Sequence, residues 1–499
     1  MDEQYYFIED YFREKYFMSL ATIYSFIGTL ITINTVLALV TIFRKPRSIA
    51  SILAWFMFLV FLPGVGFLGY LFLGRGLDRT TTRRFEEENK YNLSILGQRV
   101  HENNEKFGPK DMTPHEKLLK RYFNHMERTP LCRGNSVKFY LNGEDKFSAL
   151  FEDIKNAKDN IHVEYYAFFN DKIGTAFRDH LIAKAKEGVE VRVVYDPWGG
   201  KTKKDFFKPL EEVGGKVTAF ITSRNALMKT RLNYHLHRKI VVIDGQIGWT
   251  GGFNVGDQYI YNSKKFGFWR DTHGRIVGTA AFGLQETFIR DWNVSVRDPR
   301  EKLERKDTYF VVPEEEGNID IQIVANGPES DNKTLRTGFI KMIMDAEDYI
   351  WLQSPYLIPD DSMITALVAA ANSGVDVRIM IPDMPDHPFI FRATQYYANY
   401  LHKQGVKIYN YTNGFIHSKT LVMDGKLGVF GTTNQDIRSY ELNFEISAFC
   451  YDEGVAEEMR RTFEADLKDS SLLTDEEIAQ QSLWLKIKQN FSRLLSPIL

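Results

Sequence analysis

"HLHRKIVVID" (235–244) sets two histidines, an arginine and a lysine at the mouth of a run of β-branched residues that ends in an aspartate. Side chains at i, i+2 and i+4 of a strand share one face. A strand that starts early therefore puts His235, His237 and Lys239 together. A His-x-His pair on a strand can hold a metal, but the Lys239 ammonium on the same face repels a cation and attracts an anion. The stretch reads as an anion site. "HSKTLVMD" (417–424) repeats the spacing with His417, Lys419 and Asp424, as Asp244 closes the first copy. Each copy is followed at equal distance by a small-residue turn ending in asparagine, "GGFN" with Asn254 and "GTTN" with Asn434. Upstream, "GVEVRVVYD" (188–196) is matched by "GVDVRIMIP" (374–382), each after an apolar-periodic, helix-like stretch, 174–187 and 362–373. Self-similarity over such lengths predicts a duplicated α/β unit.

Two copies of H-x-K-x4-D with their G-x-x-N turns make the chain resemble the phospholipase D superfamily. "FWRDTHGRIVG" (268–278), "LQETFIRDW" (284–292), "DIRSYELNFE" (436–445) and the two chain ends make it similar, over nearly its whole length, to bacterial cardiolipin synthases of the phospholipase D type. The resemblance implies two phospholipase D-type α/β sandwich domains packed side by side, with one active site at their pseudo-twofold interface. It also implies a ping-pong reaction: one phosphatidylglycerol gives a phosphatidyl-histidine and releases glycerol, and a second accepts the phosphatidyl group to form cardiolipin. Exchange between such phosphodiesters is nearly isoenergetic, so no activated nucleotide is needed, and no cofactor or metal is implied.

Read residue by residue, transfer of a phosphodiester without a metal needs a nucleophile, an acid for the leaving alkoxide, and fixed positive charge on the nonbridging oxygens. Imidazole can attack or donate near neutral pH, which divides the work between His237 and His417. Lys239 and Lys419, with the amides of Asn254 and Asn434, hold the phosphate oxygens. By resemblance, Glu445 orients His417; Asp271 is assigned to His237. The resemblance also makes His237 the nucleophile and His417 the general acid. Neighbouring His235 and Arg238 agree, since cations lower an imidazole's pKa. Asp244 and Asp424 stand either with the catalytic residues or as turn-stabilising aspartates in "DG". The rival activity is a phospholipase D or transphosphatidylase that uses water or another acceptor alcohol.

The 499 residues are 44% apolar with a net charge of −2, and the pI of about 6.6 argues against nucleic acid as a partner. Positive charge is local: Lys201, Lys203, Lys204, Lys208, Lys216, Arg224, Lys229 and Arg231 lead into the first motif, either as a solvated loop or as a patch for anionic headgroups. Cys132 and Cys450 read as free thiols. Residues 17–43 and 48–74 carry no charged side chain and each exceeds the roughly 20 residues that span a bilayer. With only "RKPR" (44–47) near their junction they form a hairpin, giving a multi-pass protein of the cell membrane. The larger basic group, Arg13, Lys15, Arg75, Arg79, Arg83, Arg84 and Lys90, places the catalytic region in the cytoplasm.

The expected order is an N-terminal tail (1–16), a two-helix transmembrane hairpin (17–74), a charged linker (75–130), domain 1 (131–305), domain 2 (318–470) and a C-terminal amphipathic helix (471–499). Thr474 and Glu477 have capping-box spacing there. The helix beyond them packs on the catalytic core or lies in the membrane interface. Partners are phosphatidylglycerol, cardiolipin and the lipid bilayer, and a homo-oligomer is left open.

Overall fold

Strand Lys239–Ile243 alternates between two cores, as a period of two requires. Ile240 and Val242 enter one shared with Phe282, Leu284 and Phe288, and Val241 and Ile243 enter another with Phe147, Leu150, Phe177 and Leu181. The sheet is thus covered on both faces, and its strands read as continuous apolar runs. The computed structural model describes residues 20–40, 49–70, 74, 77, 79–91, 95–107, 111–127, 129–200, 202, 204–221, 234–260, 263–314 and 317–494. The chain falls into two units, one of residues 1–76 with 223–233, the other of residues 77–222 with 234–499.

In the larger unit fifteen strands form one sheet. The first half contributes, from the middle outward, Cys132–Tyr140, His273–Val277, Ile247–Gly251, Lys239–Ile243, Asn160–Tyr165, Glu190–Tyr195 and Lys216–Ala219. The second contributes Ile319–Asn326, Glu445–Tyr451, Leu427–Gly431, Thr420–Met423, Tyr349–Gln353, Asp376–Pro382 and Lys407–Tyr411 in the same order, then Ser470–Leu472. Cys132–Tyr140 pairs antiparallel with Ile319–Asn326, so the halves meet edge to edge. The last helix of each half, Ala281–Ser295 and Glu453–Leu467, contributes to one core spanning both halves. The two halves, expected as two sandwich domains packed side by side, are joined in one continuous sheet and share the core between them.

The stretch 75–130, expected as a charged linker with surface helices, does form helices, and two of them reach into the core. Helix Arg79–Tyr91 sends Phe85, fully buried, onto Phe444 with ring centroids 5.4 Å apart, and Glu88 meets Asn293, Lys302 and Arg305. Helix Pro114–Met126, started by a capping box from Thr113 and Glu116, packs Phe123 on Phe449. High charge density hid one buried aromatic per helix. The capping box of Thr474 and Glu477 is also present, opening helix Asp475–Gln480.

In the smaller unit, helix Leu20–Val40 is 21 residues long, apolar and largely exposed, about 31 Å at 1.5 Å per residue. Among the described residues it is the helix long enough to cross a bilayer. The second apolar stretch is two short helices, Ile49–Phe61 and Pro63–Gly69. Pro63 lacks an N–H and begins a helix more readily than it continues one. A Cβ on Gly66 would lie 2.3 Å from the Phe58 carbonyl oxygen, so only glycine fits there. Ala38 of the first helix packs with Trp55, Leu59 and Tyr70. Residues 44–47 and the basic residues Lys201, Lys203, Arg224, Lys229 and Arg231 lie outside the described residues.

Candidate active site

Neither motif histidine stands in the strand that follows it. His237 and His417 precede Lys239–Ile243 and Thr420–Met423 on extended lead-ins, and each lead-in pairs with the other half. Leu236 bridges Phe444 in parallel, with His237 N–H donating to the Phe444 carbonyl at 3.0 Å. Ile416 pairs in parallel with Arg270, and His417 N–H donates to the Arg270 carbonyl at 2.7 Å. One residue further on, each histidine meets a carboxylate. His237 Nδ1 lies 2.9 Å from Glu445, and His417 Nδ1 lies 2.7 Å from Asp271 Oδ2.

The expected pairing, Glu445 with His417 and Asp271 with His237, is therefore corrected: the partners are crossed. Distance along the chain suggests a partner in the same half, whereas the parallel bridges deliver one from the opposite half. Asp271 is fully buried and reaches its place past Gly252, where a Cβ would lie 1.9 Å from its Oδ1. The matching position in the second turn is Thr432, whose hydroxyl donates to Glu445. Asn443 Nδ2 donates to the same carboxylate at 3.2 Å.

Both histidines line one cavity of about 720 Å3 with Asn254 and Asn434. Beneath them, Lys239 Nζ donates to the His237 carbonyl at 2.6 Å and Lys419 Nζ to the His417 carbonyl. Burial, opposed by Glu445, lowers Lys239 to about 7, and burial, opposed by Asp271, lowers Lys419 to about 8. Burial likewise brings both histidines to about 4, against the pull of their carboxylates. Each ring is neutral at pH 7. With Nδ1 donating to a carboxylate, Nε2 carries the lone pair. The Glu445 carboxyl is held below its usual range: burial raises it, but His237 and Lys239 lower it more.

Arg238 does not face His237. It is fully buried, paired with Asp291, and donates to the carbonyls of Glu445 and Asn326, each at 3.1 Å. His235 stands with its Nδ1 3.7 Å from Asp196. The expected electrostatic asymmetry between the two histidines is therefore absent.

Asp244 and Asp424 are removed from the catalytic set. Asp244, at φ 51°, accepts the backbone N–H groups of Lys158, Asp159 and Asn160. Asp424, at φ 50°, accepts those of Glu347, Asp348 and Tyr349. Seven residues of extended chain put each roughly 20 Å from its histidine. They secure the start of the neighbouring strand.

Asn254 and Asn434 do reach the cavity. Asn254 Oδ1 accepts from Ala167 N–H at 3.1 Å, and the buried Asn434 Oδ1 has no hydrogen-bond partner. Sequence reasoning missed Tyr166, whose ring centroid is 5.3 Å from that of His237, and Trp269, 5.2 Å from His417. It also missed Tyr356, bonded to Asp386, and Asp436 with Arg438, all on the cavity wall. Burial raises Asp436 to about 6. Within 436–445, sequence points to Glu445 and gives no sign that Asp436 and Arg438 also reach the cavity.

The family model described as "Cardiolipin synthase, PLD-like domain" matches residues 150–292 and 339–467, once in each half. A model described as phospholipase D-nuclease N-terminal matches residues 34–75. A cardiolipin synthase of Staphylococcus aureus (strain Mu50) is 43% identical over 479 residues, 95% of this chain and 96% of that protein. One of Listeria monocytogenes serotype 4a (strain HCC23) is 42% identical over 94% of this chain and 98% of its own length. The crystal structure of phosphatidylserine synthase from Haemophilus influenzae Rd KW20 superposes with a TM-score of 0.60 at 15% identity, covering 77% of this chain and all of that one, which shows a shared fold. With a match in each half and relatives alike from end to end, the chain belongs to the cardiolipin synthase family, with its duplicated PLD-like domain.

Proposed function

We propose that the protein is a membrane phosphatidyltransferase that condenses two phosphatidylglycerol molecules to cardiolipin and glycerol through a phosphohistidine. The observation that carries this is the crossed pair: two imidazoles on one cavity, each anchored at Nδ1 by a buried carboxylate of the opposite half. One can attack while the other serves the leaving oxygen. In this scheme His417 takes up a proton at Nε2 as the phosphodiester binds; His237 Nε2 then attacks phosphorus, the P–Nε2 bond forms as the P–O bond to glycerol breaks, and glycerol leaves with that proton. The hydroxyl of a second phosphatidylglycerol then returns a proton to His417 and breaks the P–N bond. A phosphodiester anion at the site favours the protonated forms of His417, Lys239 and Lys419, so the lysines supply positive charge below the site when substrate is bound. Like-ordered half-sheets meeting at an antiparallel strand pair support a pseudo-twofold centre between halves 131–305 and 318–470.

The same proposal includes a two-helix hairpin crossing the cell membrane twice, with the catalytic unit on the cytoplasmic side. Packing of Ala38 against Trp55 and Leu59 supports the hairpin.

The test is product analysis with purified protein and phosphatidylglycerol labelled in the headgroup and in the acyl chain. Cardiolipin and free glycerol in equal amounts are expected; phosphatidic acid as the main product would make the protein a phospholipase D. Acid-quenched mass spectrometry within the first turnover should find the phosphatidyl group on the peptide carrying His237, and an adduct on His417 alone would reverse the two roles. Activity should survive chelation of divalent cations, because lysines hold the charge that a metal would supply.

A further inference from the structure

A surface helix normally turns its apolar stripe to the protein. The last described helix, Leu483–Leu494, does the reverse. At 100° per residue, Leu483, Leu494, Ile487, Phe491 and Trp484 fall within about 100° of arc, and all five are exposed, Trp484 by 64% and Leu483 by 76%. The buried side chains are polar, Gln489 and Ser492. Gln489 and Gln481 share an amide network with Asn399, and Arg493 lies over the Tyr396 ring at 4.8 Å. These contacts hold the helix antiparallel on helix Pro388–Lys403 and leave its apolar face outward.

Lys486, Lys488 and Arg493 accompany that face with no acidic residue in the helix, and Lys488 Nζ stands 5.3 Å over Trp484. The supporting helix leads to the catalytic cavity: His387 at its N-cap and Ile390 in its first turn line the wall. Phe389 between them is 56% exposed, and Trp198, on the same cavity, is 50% exposed. An apolar arc edged by lysines, carrying a tryptophan and borne on the helix whose N-terminal end lines a lipid-processing site, matches the chemistry of an anionic bilayer surface. We propose that helix Leu483–Leu494 and the cavity rim at Trp198 and Phe389 form an interfacial docking face that seats the catalytic unit on an anionic bilayer, with the cavity mouth at headgroup depth. The proposal rests on the reading that the substrate is a bilayer lipid.

The experiment uses the full chain reconstituted in phosphatidylglycerol-containing vesicles, with a fluorophore on Ile487→Cys or, as control, on exposed Glu476→Cys; both native cysteines are buried. A quencher carried at the top of the acyl chains should quench the label at 487 and spare that at 476. Equal quenching at both, or quenching at 487 that needs a second labelled protein copy, would overturn the proposal. Ile487→Glu with Phe491→Glu should lower turnover of vesicle phosphatidylglycerol about tenfold while leaving turnover of a monodisperse short-chain phosphatidylglycerol unchanged. Equal loss on both substrates would also overturn it. The quenching needs no turnover, so failure of the wild type to make cardiolipin from either substrate would strike the functional reading alone.

Discussion

Glu445 and Asp271 each do for the opposite half what a local partner was expected to do for its own, so each histidine depends on contact between the halves. Replacing Glu445 by glutamine keeps the shape but removes the charge that fixes the His237 tautomer. Turnover should fall by about 10^2- to 10^4-fold with little change in KM, measured by steady-state cardiolipin formation, and Asp271→Asn should act similarly through His417. The histidines also set a pH dependence of stability. Their folded values of about 4 lie below the ordinary 6.5, so the unfolded chain binds more protons between those limits. Their contribution is full above pH 6.5 and drops by about 1.4 kcal/mol per pH unit per histidine down to pH 4. Urea unfolding at pH 7, 6 and 5 should show this, with a shallower slope for His237→Asn. Lys239, at about 7 when the cavity is empty, should gain a proton when an anion binds. Titration with dimethyl phosphate, which does not itself titrate in this range, in buffers of different ionisation enthalpy should therefore show proton uptake at pH 8 from the lysines, whereas uptake at pH 6 belongs to His417.

Among the elements, helix Arg79–Tyr91 carries the clearest consequence. Its sequence, RTTTRRFEEENKY, holds one large apolar side chain, Phe85, and that ring stacks on Phe444, next to Glu445. Phe85→Ala should cost about 3–5 kcal/mol of unfolding free energy, read by chemical denaturation, and should loosen the segment that presents Glu445. The turn aspartates act on elements too. Asp244→Ala strips three backbone N–H groups of their acceptor at the entry to strand Asn160–Tyr165. A loss of about 1–3 kcal/mol in stability is expected, with turnover of the folded protein within a few-fold of wild type. A catalytic Asp244 would give the opposite result.

For the whole molecule, the unit beginning at Leu77 contains every core that lines the site, including both halves of the sheet. A chain starting at Leu77 should fold in detergent and turn over detergent-dispersed phosphatidylglycerol, while losing most of its activity on vesicles. If such a chain failed to show cooperative unfolding, the N-terminal unit would be part of the fold.

The sequence by itself determined the duplicated α/β unit, the two His-x-Lys motifs, the turn asparagines and the apolar N-terminal segment. Each of these is written in spacing and periodicity along a short stretch of chain. The second apolar segment was legible as apolar and, from Pro63, Gly64, Gly66 and Gly69, as locally irregular, whereas the close approach of Gly66 to Phe58 was decided by tertiary structure. The crossing of the carboxylates, the turning of Arg238 toward Asp291 and the burial of Phe85 were decided only by tertiary structure. A side chain's partner is whatever the sheet brings beside it, and here the parallel bridges Leu236 to Phe444 and Ile416 to Arg270 join residues about 208 and 146 positions apart. Near-symmetric motifs make the two pairings look equal on paper, and the edge-to-edge meeting of the half-sheets selects between them.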